Sequence, residues 1–75
     1  MELNDFIARF AEQFEDTDPA EIQADTVYKD LDEWSSILAF SVIAMVKTEY
    51  DKSVTGVEIR HCNTVEDLFN TIAAK

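Results

Sequence analysis

The stretch that decides the fold of this chain is Trp34-Ser35-Ser36-Ile37, which separates an acidic segment from a mostly apolar run that ends at Tyr50. Serine is a preferred N-cap residue, because its hydroxyl accepts a hydrogen bond from a free backbone N–H of the first helical turn. We therefore expect a helix that is capped at Ser35 and continues to about Tyr50. Ser36 then lies in the first turn, where unpaired N–H groups and the helix dipole favour a negatively charged substituent such as a phosphate ester.

Apolar residues lie on two sides of this predicted helix. One face carries Ala39, Val42, Ile43, Val46 and Tyr50, and the opposite face carries Ile37, Phe40, Ser41, Ala44, Lys47 and Thr48. Such a helix either lies deep in a core or offers one side to a partner, and a small domain has little room for the first arrangement. The pattern therefore indicates Ile37 and Phe40 as candidate docking residues.

Three more helices are expected. Near the start of the chain, large apolar residues recur at three- and four-residue steps and predict a helix over residues 2–15, which ends before Pro19. A short helical turn is expected after Gly56, at residues 57–59. Thr64 and Asp67 have the spacing of a capping box and predict the start of a last helix. With no convincing strand, residues 1–75 are predicted to form a single all-α domain, a small four-helix bundle with three main helices and one short helix.

The composition restricts the class of protein. A lone cysteine, Cys62, excludes an internal disulfide and indicates a reducing compartment. No apolar run approaches the roughly 20 residues of a membrane span, and the N-terminus lacks a secretory signal. These features predict a cytoplasmic protein, and the high charge predicts a monomer. No Cys/His cluster has metal-ligand spacing, so no metal site is expected.

The negative charge is concentrated in the first part of the chain. Residues 1–33 hold 11 acidic and 2 basic side chains, net −9, out of a total net charge of −10. Such a surface repels nucleic acid and anionic lipid, and it speeds encounter with basic patches on other proteins. An acidic face that serves only solubility is the alternative.

Four sequence elements together resemble the acyl carrier protein family. These elements are Asp30-Leu31 before the serines, Ser35-Ser36-Ile37 where the family has Asp-Ser-Leu, Glu49-Tyr50-Asp51 at the end of the long helix, and Thr64-Val65 at the start of the last helix. Members of this family are small acidic helical proteins. They carry acyl or aminoacyl groups as thioesters on a 4′-phosphopantetheine arm.

The resemblance implies a function and a set of site residues. Ser36 would receive 4′-phosphopantetheine from coenzyme A through a phosphopantetheinyl transferase, and the chain itself would not be an enzyme. The carried intermediates would belong to fatty acid, polyketide or related biosynthesis. Acidic side chains before the helix would attract basic patches on the partner enzymes, and two apolar side chains would add docking contacts. These partner-binding residues are Asp30, Asp32, Glu33, Ile37 and Phe40.

The chain also departs from the family pattern. Ser35 stands where the family has aspartate, Trp34 fills one additional position before the serines, and Lys47 places a positive charge on a helix that is usually acidic. A carrier with these features is expected to serve a dedicated pathway. The same departures support a second hypothesis, an unmodified carrier-fold interaction module that binds a protein through Phe40 and the acidic loop. A hydrolase that uses Ser36 with His61 is a third.

Overall fold

The computed structural model describes all 75 residues and consists of helices and connections. The α-helices are α1 (Leu3–Ala11), α2 (Ser36–Tyr50), α3 (Gly56–His61) and α4 (Val65–Ala73). Two short 3-10 helices, Pro19–Glu21 and Tyr28–Asp30, lie in the long connection between α1 and α2. The predicted all-α bundle of three main helices and one short helix is confirmed.

Helix α1 is shorter than the predicted range of residues 2–15. From Gln13 onward, the backbone hydrogen bonds change to three-residue spacing. The N–H groups of Glu15 and Asp16 then donate hydrogen bonds to the carboxylate of Glu33, at 2.7 and 3.0 Å. The α-helix ends at Ala11, and a side chain from the following connection takes two N–H donors that a helix extended to residue 15 or 16 would use.

Fifteen buried residues form one hydrophobic core to which all four helices contribute. They are Phe6, Phe10, Ala11, Phe14, Ile22, Tyr28, Leu38, Val42, Met45, Val46, Val54, Ile59, Val65, Leu68 and Ile72. The half-buried ring of Trp34 packs against this core, with its centroid 4.9 Å from that of Tyr28 and 6.2 Å from that of Phe10. Trp34 thus anchors the chain just before α2.

The two faces predicted for α2 are present in the structure. Val42 and Val46 are fully buried, and Ile37 and Phe40 on the opposite face are 77% and 71% exposed. Leu38 and Met45, which the sequence analysis assigned to neither face, complete the buried side. Helix α2 therefore uses one side for the core and presents apolar side chains on the other.

Capping boxes begin both C-terminal helices. In α4, the Asp67 N–H donates to the Thr64 hydroxyl at 3.0 Å and the Thr64 N–H donates to the Asp67 carboxylate at 3.1 Å, as predicted. Helix α3 begins in the same way, with Thr55 and Glu58. It is longer than the expected turn at residues 57–59. Its start is set by the threonine cap, since Gly56 does not adopt a left-handed conformation.

The other end of α3 is held by Tyr28 and Lys29. The buried Tyr28 hydroxyl donates to the carbonyl of Ile59, and Lys29 Nζ donates to the carbonyl of Arg60 at 2.7 Å. Both carbonyls lie in the last turn of α3, where a helix has no internal donors for them. Because so short a helix is not stable alone, these two bonds help to fix α3 against the bundle.

We expect Tyr28→Phe to lower the free energy of unfolding by about 1–3 kcal/mol, since a buried carbonyl loses its donor. Tyr50→Phe is the matched control, because the Tyr50 hydroxyl donates at the surface, to Asp5 at 2.6 Å. Its loss should be smaller, because water replaces the lost partner at the surface. Urea titration followed by circular dichroism measures both variants, and equal losses would contradict the role given to the buried hydroxyl.

Candidate functional site

Ser36 is the first residue of α2, and its side chain is exposed. Its hydroxyl forms no hydrogen bond with any other group of the chain. The neighbouring Ser35 hydroxyl caps the helix by accepting from the Leu38 N–H at 3.4 Å. The two adjacent hydroxyls therefore differ. The Ser35 hydroxyl caps the helix, and the Ser36 hydroxyl is exposed at the surface without a partner in the chain.

The first turn of α2 differs electrostatically from that of the other helices. It contains no acidic side chain, whereas the first turns of α1, α3 and α4 each contain at least one. Carboxylates at this position offset the positive end of the helix dipole. The N–H groups of Ser36 and Ile37 also have no acceptor within the helix. A negatively charged group on the Ser36 oxygen would therefore lie in a favourable field.

A groove of about 340 Å³ opens beside Ser36, between α2 and α3. Small-molecule sites in proteins typically measure roughly 300–1,000 Å³, so this groove is at the small end of that range. Its walls are partly apolar and include two cationic side chains. It is lined by Lys29, Trp34, Ser35, Ser36, Ala39, Phe40, Ile43, Gly56, Ile59 and Arg60.

The two cations of this groove, Lys29 and Arg60, were not identified from the sequence. They are 31 residues apart and come together only because Lys29 caps the end of α3. The ion pairs of the structure involve Arg9, Lys47 and Lys75, so neither groove cation has a carboxylate partner. The chain as a whole has a net charge of −10. Beside Ser36, however, it has two positively charged side chains that form no ion pair with its own acidic residues.

The acidic residues predicted to bind partners differ in their surroundings. The carboxylates of Asp30 and Asp32 are exposed and make no hydrogen bond or ion pair within the chain. With Glu33, they border a shallow acidic depression at the end of the connection that precedes α2. No cluster of acidic, histidine or cysteine side chains here or elsewhere has an arrangement that could hold a metal ion.

Glu33 is used inside the fold. Its carboxylate accepts from the backbone N–H groups of Glu15 and Asp16, in the segment that follows α1, and from the Thr17 hydroxyl at 2.8 Å. These bonds, the one from the Glu15 N–H foremost, hold the pKa of Glu33 below its ordinary value. Glu33 thus ties the start of α2 to the end of α1. The sequence predicts only a partner-binding role for Glu33, because nothing in a linear sequence marks contacts with residues 16 to 18 positions earlier.

Ile37 and Phe40 are the two most exposed large apolar side chains of the chain. Residues three apart are neighbours on a helix surface, so the two side chains form one apolar patch. Phe40 also lines the groove beside Ser36, and Ile37 borders a depression that includes Glu33. The predicted docking residues therefore surround the start of α2, on both sides of the serines.

No protein-family model, curated protein or solved structure matches this chain. None of its helices has the length and apolar composition needed to cross a membrane. The grounds for a function are therefore the geometry around Ser36 and the sequence elements that resemble acyl carrier proteins.

We expect Glu33→Gln to make the stability of the protein less sensitive to acid. Because the pKa of Glu33 lies below its ordinary value of 4.5 in the folded chain, ionised Glu33 stabilises the fold above that value. This contribution is lost as the pH falls through the lowered pKa. The variant should have a lower Tm at pH 7 and a smaller further decrease towards pH 3.

Thermal unfolding between pH 7 and pH 3 measures this effect. Asp32→Asn is the matched control, since Asp32 is a neighbouring carboxylate with no intramolecular hydrogen bond, and it should behave as the wild type does. An acid-induced decrease in Tm of the same size in Glu33→Gln and in the wild type would show that Glu33 does not have this role.

Proposed function

We propose that this chain is an acyl carrier protein. In this proposal it holds acyl or aminoacyl intermediates as thioesters on a 4′-phosphopantetheine arm attached to Ser36. The observation that carries the proposal is an exposed hydroxyl with no internal partner at the start of the longest helix. The resemblance of Ser35-Ser36-Ile37 and Thr64-Val65 to the elements of the carrier family supports it.

Attachment of the arm is a group transfer catalysed by a separate phosphopantetheinyl transferase. The Ser36 oxygen forms a bond to the phosphorus that bears the pantetheine, and the phosphoanhydride bond of coenzyme A breaks. Adenosine 3′,5′-bisphosphate leaves with the bonding electrons, and the serine proton passes to a base of the transferase. A metal ion on the transferase offsets the charge of the phosphoryl group. The arm supplies a thiol on which an acyl group is held as a thioester.

The chain's own contribution is to present the nucleophile and to accommodate the charge. The serine must reach the active site of another protein, which its exposure at the start of α2 permits. The resulting phosphodiester is negative, and the unpaired N–H groups of the first turn favour it. The capping bond of Ser35 keeps this turn helical without using the second hydroxyl.

An apolar cargo would meet the groove between α2 and α3. Ala39, Ile43 and Ile59 give this groove apolar walls. Behind them, Val42, Val46 and Leu68 have no exposed surface. A cargo that entered the bundle would therefore have to move α3 away from α2, which makes the groove the first contact surface for a short acyl group.

We expect the apo protein to gain one phosphopantetheine group when it is incubated with coenzyme A and a promiscuous phosphopantetheinyl transferase. Intact-protein mass spectrometry measures the adduct, and fragmentation locates it on Ser36. Ser35→Ala is the matched control: loss of the cap costs about 1 kcal/mol, so the variant should fold and be modified. Ser36→Ala should not be modified. An unmodified wild type, or an adduct that persists in Ser36→Ala, would contradict the proposal.

A second function is favoured by one observation, the exposure of the Ile37 and Phe40 side chains on the same patch. In this alternative the chain is an unmodified interaction module that binds a protein through Phe40 and the acidic loop. Binding should then be unchanged in Ser36→Ala and lost in Phe40→Ala. A partner that requires the thiol arm would count against this function.

The stability of Phe40→Ala separates loss of docking from loss of fold. Because Phe40 is a surface residue, its removal should change the free energy of unfolding by no more than about 0.5 kcal/mol. Leu38→Ala, on the buried side of the same helix, should cost about 2–5 kcal/mol. Urea titration measures both, and a cost for Phe40→Ala close to that of Leu38→Ala would assign Phe40 to the core.

A further inference from the structure

Arg60 is the one Lys or Arg side chain that donates no hydrogen bond within the chain. The other Lys and Arg side chains all donate to a carboxylate or a carbonyl group. Arg60 is exposed, and it has no carboxylate partner in a chain with 16 acidic residues. All of its guanidinium N–H groups are therefore available to an external anion.

The Arg60 side chain is directed to the groove beside Ser36. A Cβ atom built on Gly56, one turn earlier in α3, would lie 3.8 Å from an Arg60 guanidinium nitrogen. The side chain thus folds back along α3 towards Gly56, and both residues line the groove. Arg60 and Ser36 consequently line the same small, partly apolar groove.

Lys29 adds a second positive charge to this space. Its ammonium group donates to the Arg60 carbonyl at 2.7 Å and lies 3.4 Å from the side-chain oxygen of Asn63. An ammonium group has three N–H donors, so one remains free. These contacts hold the Lys29 ammonium group at the backbone of the last turn of α3, and Lys29 and Arg60 both line the groove.

We propose that Arg60 binds the phosphate of an arm attached to Ser36, with Lys29 as the second cation. The arm then lies against the groove between α2 and α3 for part of the time, instead of moving freely in solvent. Guanidinium groups suit this role, because their planar N–H donors match two phosphate oxygens. This inference rests on the proposed function, since it needs the arm on Ser36.

The test compares the wild type with Arg60→Gln after loading with phosphopantetheine. Lys47→Gln is the matched control, because it removes another exposed cation, on α2, that does not line the groove. Arg60→Lys retains the charge. Circular dichroism and urea unfolding establish that all variants fold.

Two readouts do not depend on any enzymatic activity. In ¹⁵N and ³¹P NMR spectra, loading should shift the Arg60 Nε resonance, and Arg60→Gln should shift the phosphorus resonance. The rate at which a maleimide reacts with the arm thiol, measured on the Ser36 peptide so that the free thiol of Cys62 is not counted, should rise about two- to fivefold in Arg60→Gln, as expected for loss of an exposed ion pair. Arg60→Lys should restore part of the slower rate, and Lys47→Gln should match the wild type. At 1 M salt, where the Debye length is about 3 Å, the difference in rate should disappear.

The outcomes distinguish this inference from the function on which it rests. Loading of Ser36 with the same spectra and thiol rates in Arg60→Gln and in the wild type would overturn the inference and leave the carrier function standing. An Arg60 shift that occurs only with an acyl group on the thiol would assign Arg60 to the cargo and overturn phosphate binding. Failure of Ser36 to accept the arm would overturn both.

Discussion

The pair of bonds from Tyr28 and Lys29 to the end of α3 is the constraint on which the site depends. Helix α3 has six residues, too few to persist without support. Its last carbonyl groups are satisfied by a buried hydroxyl and an ammonium group from the connection before α2. Because α3 is held there, its side chains Ile59 and Arg60 form the second wall of the groove beside Ser36.

Successive residues at the start of α2 have sharply different environments. Glu33 binds the end of α1, Trp34 packs on the aromatic core, and Ser35 caps the helix. These three side chains fix where the helix begins. The next two, Ser36 and Ile37, are exposed and have no role within the fold. A firmly held helix start that carries a free hydroxyl suits attachment of a group that other proteins must reach.

Local sequence patterns predict those parts of the fold that depend on neighbouring residues. The N-cap residue Ser35 predicts the start of α2, and the capping box of Thr64 and Asp67 predicts the start of α4. The same rule, applied to Thr55 and Glu58, predicts the start of α3, which Gly56 alone does not. The contacts that follow the end of α1 could not be predicted, since they involve Glu33, a distant residue. The cationic side of the groove could not be predicted either, because Lys29 and Arg60 come to line one groove only after folding.

The most direct test of the central claim is the chemical state of Ser36 in the protein as its own cells make it. Purification under conditions that preserve thioesters, followed by tandem mass spectrometry of the peptide that contains Ser36, would reveal it. A carrier should have phosphopantetheine on the Ser36 oxygen, with a fraction of the arms acylated. A serine that is unmodified in every molecule, from cells that load their other carriers, would contradict it.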